Sequence, residues 1–383
     1  MINSERIVNT FIELSSIDGI SGNELEIANL VIKKLTNLKC KVFMDNAGES
    51  FGGNSGNIIA CFEGNISAES IFFSSHLDSI KTTKNIKHII TNGIIETDKT
   101  TILGGDDRAG IAIVLEILEV ILENNIPHAP IEIIFTVCEE DGMHGSKNIS
   151  KDSIKSKFGF VFDCQAFPGN YIVEAPGAVS FNAIFKGKSA HAAVSPEKGV
   201  NAIFIASKAI SKLKLGRWDE TGMLNIGIIN GGEAINVVPD KVEIAGETRN
   251  ADEKLLMNQI NYIESTFKLS AQELKGEVEV KFNHKYGGYK FTGQEKMIQI
   301  ASEAIRNSGM EPNPIKYSGG SDANIYNSNG IAALNLGVGF NNAHSFDEKI
   351  AIKDLVKTAE IGLNIIKLIS FESKLLERDL HAN

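Results

Sequence analysis

Apolar residues recur at helical spacing over residues 5–17 and again over 23–38, and the stretch between them, Asp18-Gly19-Ile20-Ser21-Gly22, reads as a breaker. Beyond that point strand-like and helix-like runs alternate. Ile71-Phe72-Phe73 opens a strand-like stretch, 71–75, that runs into His76, while 131–138 and 158–162 read as buried strands. The segment 109–124 (AGIAIVLEILEVILEN) predicts a helix that is apolar on most sides and therefore substantially buried. Strands alternating with such helices predict an α/β unit with a mainly parallel sheet flanked by helices.

The pattern changes near Pro176. Residues 177–186 read as a strand and 198–214 as a helix, followed by strands at 222–230 and 240–249, a helix near 252–273 and a strand near 276–283. This βαββαβ order is the ferredoxin-like pattern, which closes as a compact unit of about 100 residues. The alternation resumes with a helix ending at Asn307, a strand at 331–338 and a long amphipathic helix at about 350–376. We therefore expect one α/β domain built from residues 1–176 and 288–383, with a smaller domain, 177–287, inserted in it.

Composition narrows the function classes. A formal charge of −10 argues against a nucleic-acid partner, because neutralising phosphates needs a basic surface. Cys40, Cys61, Cys138 and Cys164 lie far apart without a CxxC pair, which favours free thiols in a reducing compartment. The first residues lack a basic segment followed by an apolar one, and no run reaches the roughly 18 apolar residues of a membrane span. A cytoplasmic location without membrane insertion is the expectation.

Chemically capable residues collect at the ends of the predicted strands, where open α/β sheets bind ligands. His76 and Asp78 follow the strand 71–75 and share one side of extended chain, with Leu77 on the other. Asp106 sits in the glycine-rich turn Leu103-Gly104-Gly105-Asp106-Asp107-Arg108 before a helix. Glu139 and Glu140 end the strand 131–138, Asp163 ends 158–162, and His344 follows 331–338. In extended chain the two glutamates point opposite ways, so that one can bind a metal while the other faces a water. Taken singly, each residue has a plainer explanation, such as a helix N-cap for Asp106 or a solvated loop for Glu139-Glu140. Together, imidazoles and carboxylates make a donor set suited to zinc, with manganese or cobalt as substitutes.

The order His-x-Asp, Gly-Asp-x-Arg-x-Gly, Glu-Glu, Asp and a distant His resembles the co-catalytic di-zinc metallopeptidases, the family of peptidase T, carboxypeptidase G and the aminoacylases. Leu103 to Ile111 is most similar to the peptidase T-like branch. The resemblance implies two zinc ions per chain. His76, Asp106 and Asp163 would bind one and Asp106, Glu140 and His344 the other, with Asp106 bridging. It implies Glu139 as general base and Asp78 as the acid that orients His76. Arg108 stands where the family commonly has Lys.

The same resemblance makes the insert a lid and dimerisation domain. His191, in Gly187-Lys188-Ser189-Ala190-His191, would reach toward the scissile carbonyl oxygen, often from a partner subunit. Asn236, Arg249 and Gly320, the last in Ser318-Gly319-Gly320-Ser321-Asp322, match positions that contact substrate. The expected activity is hydrolysis of an amide bond in a short peptide. Deacylation of an N-acyl amino acid, or removal of a carboxy-terminal residue, keeps the same chemistry. A metal-free peptide-binding scaffold is the non-enzyme reading.

Overall fold

A computed structural model describes residues 1–381, with side chains described through Phe371. The chain divides into two compact units, one of residues 1–173, 291–315 and 321 onward, the other of residues 174–290 and 316–320.

In the first unit the amphipathic segments become α1 (Ser4–Ser15) and α2 (Leu25–Asn37). The strands β1 (Lys41–Met44), β2 (Ile58–Phe62) and β3 (Ile71–His76) precede α3 (Gly105–Glu123), and β4 (Ile131–Thr136), β5 (Phe158–Cys164) and β6 (Asn170–Ala175) follow it. Every residue of β3 and β4 is buried, as both-face coverage requires. Residues 109–118 of α3 are buried without a break, matching its apolar periphery.

The second unit holds β7 (Gly177–Lys186), α4 (Ala202–Ser211), β8 (Met223–Gly231), β9 (Lys241–Asn250), α5 (Glu253–Glu273) and β10 (Glu277–Tyr286). Its antiparallel strands run in the order β8-β9-β7-β10. Its core joins Phe181 and Phe185 of β7 to Phe267 of α5 and to Ala202, Ile205 and Ala209 of α4. The helix predicted over 198–214 is shorter than its apolar pattern, because Asn201 caps its start by accepting the Phe204 N–H.

The first unit resumes with α6 (Lys296–Asn307), α7 (Asp322–Ser328), β11 (Ala332–Gly337) and α8 (Ile352–His381). Its sheet runs β1-β2-β4-β3-β5-β11-β6. The centre, β4-β3-β5-β11, is parallel, while β1, β2 and β6 pair antiparallel at the flanks. The antiparallel flanks contain strands that the apolar pattern did not reveal. β1 alternates poorly because most of it is exposed, and β2 is short. No described helix is long and apolar enough to cross a membrane.

Candidate metal centre

The carboxyl ends of the four central parallel strands bring the polar residues together. His76 closes β3 with its ring almost wholly buried, and Asp163 lies one residue from the end of β5. His76 Nε2 is 2.9 Å from Asp106 Oδ1 and 3.8 Å from Asp163 Oδ1. His344 Nε2 is 3.2 Å from Asp106 Oδ2 and 2.9 Å from Glu140 Oε1. The two oxygens of Asp106 thus face different imidazoles. Ligand atoms of His76, Asp106 and Glu140 lie within 4.8 Å of one another, as do those of His76, Asp107 and Asp163.

Asp106 reaches this position through the turn before α3. Gly104 has φ +70, a conformation that glycine adopts without a Cβ penalty. Glu348, buried, ties the turn down by accepting the N–H groups of Leu103 (2.9 Å), Gly104 (2.8 Å) and Asp106 (3.0 Å). Asp107 turns the other way: its carboxylate accepts the Gly110 and His76 N–H groups, both at 3.2 Å. The side chain beside Asp106 therefore also serves the helix start and the strand end. Gly110 lets α3 lie close on the sheet, since a Cβ there would stand 2.3 Å from Ser75 Oγ and 2.4 Å from the Phe162 carbonyl.

Glu139 and Glu140 are presented differently from the extended-chain expectation. β4 ends at Thr136, and Cys138 takes φ +51, so the chain bends before the glutamates. Their backbone N–H groups both converge on one carboxylate, that of Asp78, at 2.9 and 3.1 Å. The backbone that presents the two side chains is thus a turn and not extended strand. Asp78 also accepts the Ser21 hydroxyl at 2.6 Å and lies with Oδ1 3.3 Å from His76 Nδ1. It therefore fixes one imidazole and two neighbouring amides at once.

Burial and like charge set the electrostatics. Burial alone would lower the His76 pKa, but Asp106, Asp78 and Asp163 together raise it well above the ordinary value. Contacts with Asp106 and Glu140 push His344 up to about 10. Burial works against Asp106, yet the two imidazoles hold it far below the usual carboxylate range. Burial raises Glu139 well above that range, with Asp322 and Glu140 adding to the effect and His76 opposing it. Asp163 is raised likewise, by burial and by Asp106. Arg108, fully buried, donates to the Leu77 and Gly19 carbonyls, and burial depresses it to about 10.

The donor set fits divalent cations. Glu140 Oε1 is buried without a hydrogen bond although an imidazole nitrogen stands 2.9 Å away, an acceptor that a cation would satisfy.

The remaining sequence-derived residues lie in the second unit. His191 pairs with Val237 on a short ribbon, and Ala192 donates its N–H to the Asn236 carbonyl at 2.9 Å. His191 Nδ1 accepts the Ala193 and Val194 N–H groups at 3.2 Å, which leaves Nε2 as the protonated, donating nitrogen of the neutral ring. Arg249 donates to the Ser318 carbonyl at 3.3 Å and pairs with Glu247 at 3.1 Å. Gly320 has a packing reason to be small: a Cβ would stand 2.5 Å from the Tyr286 hydroxyl.

Residues with no sequence signal of their own complete the frame. Besides Glu348, Asn335 accepts the Asp163 N–H at 3.2 Å and returns a bond to the Asp163 carbonyl. Asp322, buried, accepts the hydroxyls of Thr136 and Ser146. Only their position relative to the site reveals them.

Residues 72–368 match the model of peptidase family M20/M25/M40. The chain is 39% identical to the uncharacterised protein YqjE of Bacillus subtilis, over 96% of this chain and 99% of that one. The aminopeptidase PepT from Bacillus cereus superimposes with a TM-score of 0.92 at 39% identity, covering 96% of this chain and 99% of its own. A tripeptidase from Staphylococcus aureus gives a TM-score of 0.94 at 38% identity, with 97% and 99% covered. With the strand ends, the glycine turn and the matched length all in agreement, the chain belongs to peptidase family M20/M25/M40 and is a hydrolase of peptide bonds.

Proposed function

We propose that the protein is a two-metal exopeptidase acting on short peptides, a peptidase T-like aminopeptidase of di- or tripeptides. The observation that carries this reading is the split carboxylate of Asp106, one oxygen toward His76 and the other toward His344. His76, Asp106 and Asp163 would hold one ion and Asp106, Glu140 and His344 the other. Zinc suits this set best, with manganese or cobalt as substitutes. Bound there, the pair of ions would polarise the scissile carbonyl and make a water between them acidic.

The chain's own residues would do the rest. Glu139, raised by burial, would accept the water proton and pass it to the leaving amine. Asp78 would keep His76 in one tautomer, its main-chain carbonyl accepting from Nδ1 at 3.1 Å with the carboxylate oxygen 3.3 Å away. His191, with Nε2 as donor, would hydrogen-bond the developing oxyanion, a contact worth about 3 kcal/mol in the transition state. Arg249 would grip the substrate's terminal carboxylate, with Asn236 and Gly320 contributing to the same surface. The similarity to an aminopeptidase and a tripeptidase favours this over N-acyl amino acid deacylation.

A homodimer through the second unit is part of the proposal. Beyond Leu224, β8 pairs on one side only, with Ile228 and Ile229 about half exposed, and Ile203 of α4 lies near Gly232 at its end. Such an edge invites pairing across a two-fold axis. Four unbridged cysteines favour a cytoplasmic setting.

The test is Glu139→Gln. It should keep wild-type metal content and lose roughly 10²–10⁴-fold in kcat on a tripeptide. Near-wild-type turnover by a metal-loaded variant refutes Glu139 as base. Chelated protein should be inactive and recover with zinc.

A further inference from the structure

The segment between α1 and α2 reads in sequence as a breaker, yet it braces the site. The Gly19 carbonyl accepts the Ser79 N–H at 3.0 Å, one residue beyond Asp78. Ser21 donates its hydroxyl to Asp78. Glu24, with no exposed surface, uses Oε1 to accept the N–H groups of Gly22 at 2.8 Å and of Cys138 at 2.9 Å.

The second of these bonds lands on an unusual residue. Cys138 has φ +51, a region that few non-glycine residues occupy unless their surroundings hold them there. The amide held by Glu24 is followed by those of Glu139 and Glu140, which both end on Asp78. Two buried carboxylates thus anchor three consecutive N–H groups, and the bend at Cys138 sets where the two glutamates point. Removing the acceptor would leave the Cys138 amide buried without a partner and free the residue to relax toward negative φ. Both glutamate side chains would swing with it.

We propose that Glu24 is a positioning residue, whose carboxylate holds Cys138 in the left-handed conformation that aims Glu139 and Glu140 into the metal centre. The catalytic part of this inference rests on Glu139 as base and Glu140 as ligand; the conformational part does not. Glu24 touches neither substrate nor metal, and its effect should fall on kcat.

The experiment combines amide hydrogen exchange on the metal-free full chain with steady-state kinetics of the zinc-loaded enzyme on a tripeptide. Glu24→Ala should speed exchange at residues 138–140 and lower kcat by about 30–100-fold, the loss expected from a displacement near 1 Å. KM should stay within about threefold, because the effect is on the reacting geometry. Glu24→Gln, whose amide oxygen still accepts both N–H groups, should retain most activity. Cys138→Gly added to Glu24→Ala should recover about tenfold in kcat, since glycine holds positive φ without strain. Should the alanine variant fail to fold, Glu24→Asp, which retracts the acceptor by one methylene, carries the same expectation.

Unchanged exchange at 138–140, a kcat within twofold of wild type, or no recovery with Cys138→Gly overturns the proposal. If instead Glu139 is not the base, Glu139→Gln stays active while the exchange change in Glu24→Ala persists. The two failures are therefore separable.

Discussion

Asp78→Asn tests the frame of the centre without touching a proposed ligand. In the native site Oδ1 accepts the Glu139 N–H and faces His76 Nδ1, while Oδ2 accepts the Glu140 N–H and the Ser21 hydroxyl. An amide has one acceptor oxygen. Whichever way it turns, its NH2 group meets a backbone N–H, and at least one buried donor is orphaned at about 1–3 kcal/mol. The substitution also removes a negative charge that favours the buried Arg108 guanidinium. A total loss of about 2–5 kcal/mol in the stability of the metal-free protein follows, overlapping the range for breaking a buried ion pair. Zinc affinity should fall by about 10-fold, the low end of the range for losing the partner of a metal-bound imidazole, because the Asp78 main-chain carbonyl still accepts from His76 Nδ1 at 3.1 Å. Denaturant unfolding of chelated protein and zinc competition against a chromophoric chelator measure the two effects separately. Wild-type values in both would refute the claim that Asp78 organises the site.

Three further outcomes follow from the same geometry. Glu348→Ala orphans the three N–H groups of the Asp106 turn, at about 1–3 kcal/mol for each one that water does not reach, and should weaken zinc binding; unaltered affinity by competition titration would count against the turn being held by this carboxylate. Gly110→Ala forces a methyl into Ser75 and the Phe162 carbonyl and should cost about 1–3 kcal/mol or more, read as a lower unfolding midpoint; an unchanged midpoint would show that α3 can lift from the sheet without penalty. Burial lowers the His88 pKa below its unfolded value, so its contribution to stability is present above about pH 6.5 and is lost as pH falls through the folded value. The melting temperature of the wild type should therefore drop more between pH 7 and pH 5 than that of His88→Asn, and parallel pH profiles would refute this.

Much of the fold was legible because long buried elements write their periodicity plainly. The strands at His76 and Asp163 and the helix beginning near Asp106 are nearly continuous apolar runs, so their ends, and the polar residues there, could be located along the chain. The exposed or short flanking strands carry no such signal, which is why β1 and β2 escaped notice.

Within the site, residue types and order were enough to nominate candidate donors, since imidazoles and carboxylates at strand ends have few other uses in combination. Tertiary structure alone decided how those donors are held. The left-handed turn at Cys138, and not strand alternation, presents Glu139 and Glu140. Glu24 and Glu348 brace the loops from 114 and 242 residues or more away in sequence. A metal ligand comes from a few side-chain types, here imidazole and carboxylate, and so shows itself by type. A brace is defined only by which amide it meets, and that is settled when the chain has folded.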